Sequence, residues 1–247
     1  MSQTWNAADY AATARFVSDL GQPVLDLLAP RPGERILDVG CGDGALTEKL
    51  VSAGAIVVGV DPAPDFVAAA VARGLDARQL DAQALTFDGE FDAVFTNAVL
   101  HWIPDLDAAL RGIRRALKGE GRFVGEFGGH GNVAAVSTAL QAVGLRYGVG
   151  VHMPWHYLTP AEFGRRLVAA GFTPASVELV PRPTPLASGM AAWLRTFAGP
   201  IFEQLPANAR ERAIDETVDL LRWSLCDEHG RWTADYVRLR FVAVVAT

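Results

Sequence analysis

Cysteine is scarce in this chain. The 247 residues contain 2, Cys41 and Cys226, far apart and in no C-x-x-C pair. That excludes a disulfide framework and a thiolate zinc site, and it points to reduced thiols. No metal site is expected. Positive charge is also short: 22 Lys and Arg stand against 28 Asp and Glu, for a net charge of −6. A protein that binds nucleic acid in general needs a basic stripe to neutralise phosphates, so no nucleic-acid partner is expected. No apolar run approaches the roughly 20 residues needed to span a bilayer, so no membrane partner is expected either. Residues Met1 to Phe16 lack the basic start and apolar run of a secretory signal, and the expected location is the cytoplasm. Internal repeats and low-complexity segments are absent.

What is present is apolar and alternating. Half of the residues are hydrophobic, enough for a sizeable core in one α/β domain. Residues 6–29 read as one or two helices forming an N-terminal cap (1–29), closed by Pro30-Arg31-Pro32-Gly33. Strands are expected at about 34–39, 56–60, 76–80, 91–97 and 122–127. Helices are expected at about 44–53, 63–73 and from Pro104 to Leu117. This alternation predicts a Rossmann-like, mostly parallel sheet with helices on both faces, in a core spanning 30–185. Thr159, Pro160 and Glu162 have capping-box spacing. Pro181, Pro183 and Pro185 mark an edge strand near 175–185. Residues 187–229 read as a helical insert placed to act as a lid. The run 235–246 reads as a final strand entering the sheet interior.

The densest signal is Ile36-Leu37-Asp38-Val39-Gly40-Cys41-Gly42-Asp43-Gly44-Ala45-Leu46-Thr47. It reads as a buried strand, a glycine loop and a helix whose first N–H groups are free. About 20 residues on, Ile56-Val57-Val58-Gly59-Val60 ends in Asp61. An acid at that spacing accepts the hydroxyls of a bound ribose. Gly40, Gly42 and Ala45 also satisfy the dinucleotide pattern, so NAD-dependent oxidoreduction stands as an alternative. Asp38 and Asp43 separate the two. Beside a pyrophosphate they repel; beside the sulfonium and ammonium of S-adenosyl-L-methionine they attract.

The set Asp38-x-Gly40-x-Gly42-x-Gly44, Asp61, Asp81-Ala82 and Asn97 resembles the class I S-adenosylmethionine-dependent methyltransferases over residues 30–127. Trp5, Tyr10, the stretch Glu126-Phe127-Gly128-Gly129-His130-Gly131-Asn132 and the helical insert resemble the trans-aconitate 2-methyltransferase group. The resemblance implies a seven-stranded sheet with an antiparallel last strand and a small-molecule acceptor. It also implies that Asp81 and Ala82 touch the adenine. The expected cofactor residues are Asp38, Gly40, Cys41, Gly42, Asp61, Pro62, Asp81, Ala82 and Asn97. Asp38 either binds the methionine ammonium or holds the glycine loop through backbone N–H groups. Cys41 is expected as a small loop residue, not a nucleophile.

The expected acceptor residues are Trp5, Tyr10, His101, Trp102, His130 and Trp155. Trp193, Phe197 and Phe202 fall at helical spacing and read as core or lid underside. A carboxylate acceptor, suggested by the resemblance, is already ionised and needs no base. A hydroxyl or phenol acceptor needs one, and His101 and His130 are the candidates. Anion binding would draw on the insert's Arg195, Arg210, Arg212 and Arg222 if they face inward. Oligomeric state is not legible.

Overall fold

The computed structural model describes residues 15–246; Trp5 and Tyr10 lie outside them. Seven strands form one sheet: β1 (Arg35–Val39), β2 (Ile56–Asp61), β3 (Ala77–Gln79), β4 (Phe91–Asn97), β5 (Leu117–Gly128), β6 (Phe172–Pro181) and β9 (Val237–Val245). Their order is β3-β2-β1-β4-β5-β9-β6. β1 to β5 run parallel, and β9 is antiparallel to both β5 and β6. The expected antiparallel last strand is therefore present, inserted beside β5.

Burial explains the sheet's continuous apolar runs. Leu37, Val39, Val94, Phe123, Phe127 and Phe241 pack on one face. There they meet α5 (Leu106–Ala116) and α7 (Pro160–Ala169). In α5 the residues Leu106, Ala109, Leu110, Ile113 and Ala116 recur every three or four positions, the spacing of a single buried stripe. Ile36, Val57, Ala93, Phe95 and Val124 pack on the other face. Their partners are α2 (Gln22–Leu28) and α3 (Ala45–Ser52). A short helix, α1 (Arg15–Asp19), precedes α2, and α4 (Pro64–Ala72) joins β2 to β3.

The cap predicted at Thr159 forms: its hydroxyl accepts the Glu162 N–H at 3.2 Å. The Glu162 carboxylate does not reciprocate but turns to Arg165 and Arg166. β6 is an edge strand, paired only with β9, and Pro174 sits at a register shift where a missing donor costs least.

A second hydrophobic core lies above the carboxyl ends of the strands. The insert consists of α8 (Gly189–Phe197), α9 (Gly199–Phe202) and α10 (Arg210–Leu225). The ribbon β7 (Thr184–Pro185) and β8 (Thr233–Ala234) closes its base. Met190, Trp193, Leu194, Ile201 and Ile214 pack against Val136, Leu140 and Val143 of α6 (Ala134–Arg146). The insert is thus a packed helical layer of its own. No helix among the described residues is long and apolar enough to cross a membrane.

Candidate active site

A cavity of about 1040 Å³ opens at the carboxyl ends of β1, β2 and β4. The floor at one end is the glycine loop. Gly40 has φ +76° and Gly42 φ +55°, both in the left-handed region. A Cβ on Gly40 would lie 2.1 Å from Val99 Cγ2, whereas one on Gly42 would meet no protein atom within 4 Å. Gly42 lines the cavity, so its bare Cα leaves room for a ligand against the backbone.

Asp61 organises this loop. Its Oδ2 accepts the Gly42 N–H at 3.1 Å and its Oδ1 accepts the Ala63 N–H at 2.9 Å. Burial raises its pKa. Asp38 holds no loop amide; its Oδ2 accepts the Thr47 hydroxyl at 2.7 Å. The loop-holding role considered for Asp38 therefore falls to Asp61. Asp38 is buried, and desolvation pushes its pKa up to about 7, with Thr47 opposing and Asp61 reinforcing the shift. Asp81 caps a short 3-10 turn (Ala82–Ala84), accepting the Gln83 N–H at 2.8 Å. Cys41 is buried, and desolvation with neighbouring acids raises its thiol pKa, leaving it inert as a nucleophile. Asn97 donates to the Val17 carbonyl at 3.3 Å, tying β4 to α1.

The opposite end is aromatic. His101, Trp102, Trp155, Tyr157, Trp193 and Tyr236 line it. His101 is 5% exposed, and its Nδ1 accepts the Gly128 N–H at 3.2 Å. Its pKa lies well below the ordinary value because of burial, then the nearby Arg238 charge. The ring is neutral, and its proton sits on Nε2. Trp102 packs edge-on to Trp155 at 5.9 Å, and Trp155 stacks near-parallel on Tyr157 at 5.9 Å. Trp193 and Phe197, expected as lid underside, do line the cavity.

His130 is a correction. It is exposed on the turn after β5 and does not line the cavity; the glycine-rich turn carries it outward. The insert's arginines also face away. Arg195 pairs with Glu211 at 2.7 Å, and Arg212 donates to the Tyr147 hydroxyl at 3.0 Å. Arg210 bonds the Glu203 and Leu205 carbonyls, and Arg222 lies over Trp232.

The arginine in the cavity is one that sequence reasoning missed, Arg238 on β9. It is 3% exposed. Glu126 beneath it accepts Arg240 at 2.7 Å and lies 2.6 Å from Arg182 Nη1, but 4.0 Å from Arg238 Nε. Arg238 Nε has no hydrogen-bond partner, and its guanidinium rests over the Tyr236 ring at 4.5 Å. The missed signal was the alternation Tyr236-x-Arg238-x-Arg240 at the head of an otherwise apolar strand.

The donor set suits a cationic nucleoside ligand. Asp38, Asp43, Asp61, Asp65 and Asp81 all line the glycine-loop end, where a pyrophosphate would be repelled. No group of three or more potential metal ligands occurs among the described residues.

Similarity to known proteins agrees with this geometry. A family model described as a methyltransferase domain matches residues 37–125. An uncharacterized methyltransferase of Schizosaccharomyces pombe is 36% identical over 255 residues, covering 97% of each chain. Trans-aconitate 2-methyltransferase of Mycolicibacterium gilvum is 39% identical over 106 residues, 41% of this chain and 40% of that one. Among solved structures, an S-adenosylmethionine-dependent methyltransferase from Mesorhizobium loti superposes with a TM-score of 0.55 at 20% identity, covering 91% of this chain and 97% of that one.

Proposed function

Because the chain belongs to the class I S-adenosylmethionine-dependent methyltransferases, we propose that it methylates a small-molecule carboxylate to a methyl ester. The cofactor is S-adenosyl-L-methionine. The dinucleotide alternative is not supported: the matching family and the full-length relative are methyltransferases.

In this reading the Gly40–Gly42 backbone cradles the cofactor. Asp61 takes the ribose hydroxyls, with a lone pair left on each oxygen beyond the loop amides it accepts. Asp38 faces the methionine ammonium through Oδ1, which receives no hydrogen bond from the described residues. Asp81 and Ala82 flank the adenine, Pro62 lies beside Asp61, and Asn97, at the end of β4, borders the other end of the cofactor. When bound, the cofactor supplies a methyl group on positive sulfur, which a carboxylate lone pair takes while sulfur keeps the C–S electron pair and no proton moves. The protein's own contribution is alignment and exclusion of water.

The observation that carries the carboxylate reading is Arg238. A guanidinium this buried, unpaired at Nε and facing a cavity, calls for an anion. Neutral His101 supports it, since Nε2–H donates to a carboxylate oxygen and a carboxylate needs no base. Trp102 and Trp155 enclose that end. The test is methyl ester formation from small acids with S-adenosylmethionine, followed by mass spectrometry. Methylation of phenols or alcohols alone would overturn the reading.

A further inference from the structure

We propose that the acceptor is a flat, apolar monocarboxylic acid, an aryl or aryl-vinyl acid, whose single carboxylate is held by Arg238 and whose body lies among Trp102, Trp155, Tyr157 and Trp193. This inference rests on the carboxylate reading above and narrows it.

Charge counting carries the first half. Arg238 is the one arginine or lysine lining the cavity among the described residues. Arg182 and Arg240, its neighbours in space, are taken by Glu126 at 2.6 and 2.7 Å. Arg182 also donates to the Leu20 carbonyl. Glu126 reaches Arg238 only at 4.0 Å, so Arg238 is the one guanidinium that both faces the cavity and lacks a close carboxylate. A second or third acceptor carboxylate would find no further arginine or lysine on the cavity wall among the described residues, and burying it without direct pairing is far costlier than leaving it in water.

Ring geometry carries the second half. Trp193 Nε1 donates to the Tyr236 hydroxyl at 2.6 Å, and Tyr236 lies under Arg238. These contacts satisfy Trp193's polar atom and leave its face as wall. Trp155 stacks on Tyr157 with an interplanar angle of 16°. A wall of large rings around one guanidinium rewards a planar apolar body through offset and edge contacts.

The experiment compares trans-cinnamate and 2-naphthoate with trans-aconitate and citrate, and with p-cresol, using the full chain. Binding to the S-adenosylhomocysteine-loaded protein is read by tryptophan fluorescence, and methylation by mass spectrometry. The expected result is saturable binding and ester formation with the two flat acids, at about 10²-fold higher kcat/KM than with either triacid. Arg238→Gln should raise their KM by about 10- to 100-fold while cofactor affinity stays unchanged. Arg238→Lys should recover part of that loss, which a merely structural arginine would not show. A triacid preferred over both flat acids overturns this inference and leaves the carboxylate reading in place. Absence of saturable binding by both flat acids also overturns it. A methyl ether from p-cresol with no ester from any acid overturns both.

Discussion

The backbone N–H of Gly128 donates to Nδ1 of His101 at 3.2 Å. A backbone amide cannot change its donor role, so Nδ1 is an acceptor and Nε2 carries the proton. His101 therefore has a donor, not an acceptor, at Nε2, the opposite of what a general base offers. Burial and Arg238 both hold it neutral. At saturating S-adenosylmethionine the rate should accordingly stay flat from about pH 6 to 9, and His101→Gln should cost less than the 10²–10⁴ lost with a general base. An acid limb near pH 6.5 that disappears in the His101 variant would refute this and restore a hydroxyl acceptor.

Asp61 joins loop and ligand in one side chain. Asp61→Ala strands the Gly42 and Ala63 amides as well as the proposed ribose contacts. Cofactor affinity, read by calorimetry, should fall by about 2–4 kcal/mol. Asp61→Asn should be milder, because one acceptor oxygen remains. Unchanged affinity in the alanine variant would remove Asp61 from the cofactor site.

The sheet was legible because its strands announce themselves as short apolar runs ending in acids and glycines, from Leu37 through Asp61 to Asn97. The glycine-loop end of the cavity was legible for the same reason: Asp38 to Gly42 and Asp61 to Pro62 are short runs at the carboxyl ends of β1 and β2. The aromatic end was legible only in part: His101, Trp102 and Trp155 line the cavity, but its other members were not foreseen together. Arg238, Tyr157 and Trp193 come from β9, a loop and the insert, and nothing local in sequence says that they converge. His130 misled because a glycine-rich turn at the carboxyl edge has two sides, and only folding decides which one a side chain takes. The direction of the insert's arginines was open in sequence; Glu211, on the neighbouring helix α10, pairs with Arg195, and Glu216, one turn on, lies 3.8 Å from Arg212.

Asp38 should make cofactor binding pH-dependent. Its pKa is ordinarily near 4 and about 7 in the folded protein, raised by burial. Between these values the native state holds one more proton than the unfolded chain. Stability of the ligand-free protein is therefore greatest below pH 4 on this group's account and declines until pH 7, by on the order of 2–4 kcal/mol. A cationic ammonium beside Oδ1 favours the ionised form and lowers the pKa. Cofactor binding at pH 6 should then release a proton, and affinity should rise from pH 5.5 to about 7.5 before levelling. Calorimetry in buffers of different ionisation enthalpy measures the release directly. Asp38→Asn should abolish it, and wild-type binding without proton release would disconnect Asp38 from the ammonium.

The insert interrupts the chain between β6 and β9 and roofs the cavity with Trp193 and Phe197. Its own core with α6 means that, as a lid, it moves as one body rather than as a flap. Hydrogen exchange at its hinges, near residues 182–188 and 226–232, should slow when S-adenosylhomocysteine and an acceptor acid bind together. Equal protection in free and bound protein would make the insert a fixed wall.

Gly40 and Gly42 separate folding from binding. Both have positive φ, so an alanine at either is strained by about 1 kcal/mol. At Gly40 the new Cβ also lands 2.1 Å from Cγ2 of the half-buried Val99. Overpacking of that kind adds about 1–3 kcal/mol. Gly40→Ala should therefore lower Tm clearly, and Val99→Ala in the same chain should restore part of the loss by removing the collision. At Gly42 the Cβ meets no protein atom. Gly42→Ala should keep most of the stability but place a methyl group in the proposed cofactor cradle, weakening S-adenosylmethionine binding by tenfold or about 1.4 kcal/mol at least. Thermal melting and calorimetry on the two single variants give the contrast. If Gly42→Ala bound the cofactor normally while melting as low as Gly40→Ala, the loop would be a packing turn and not a cradle.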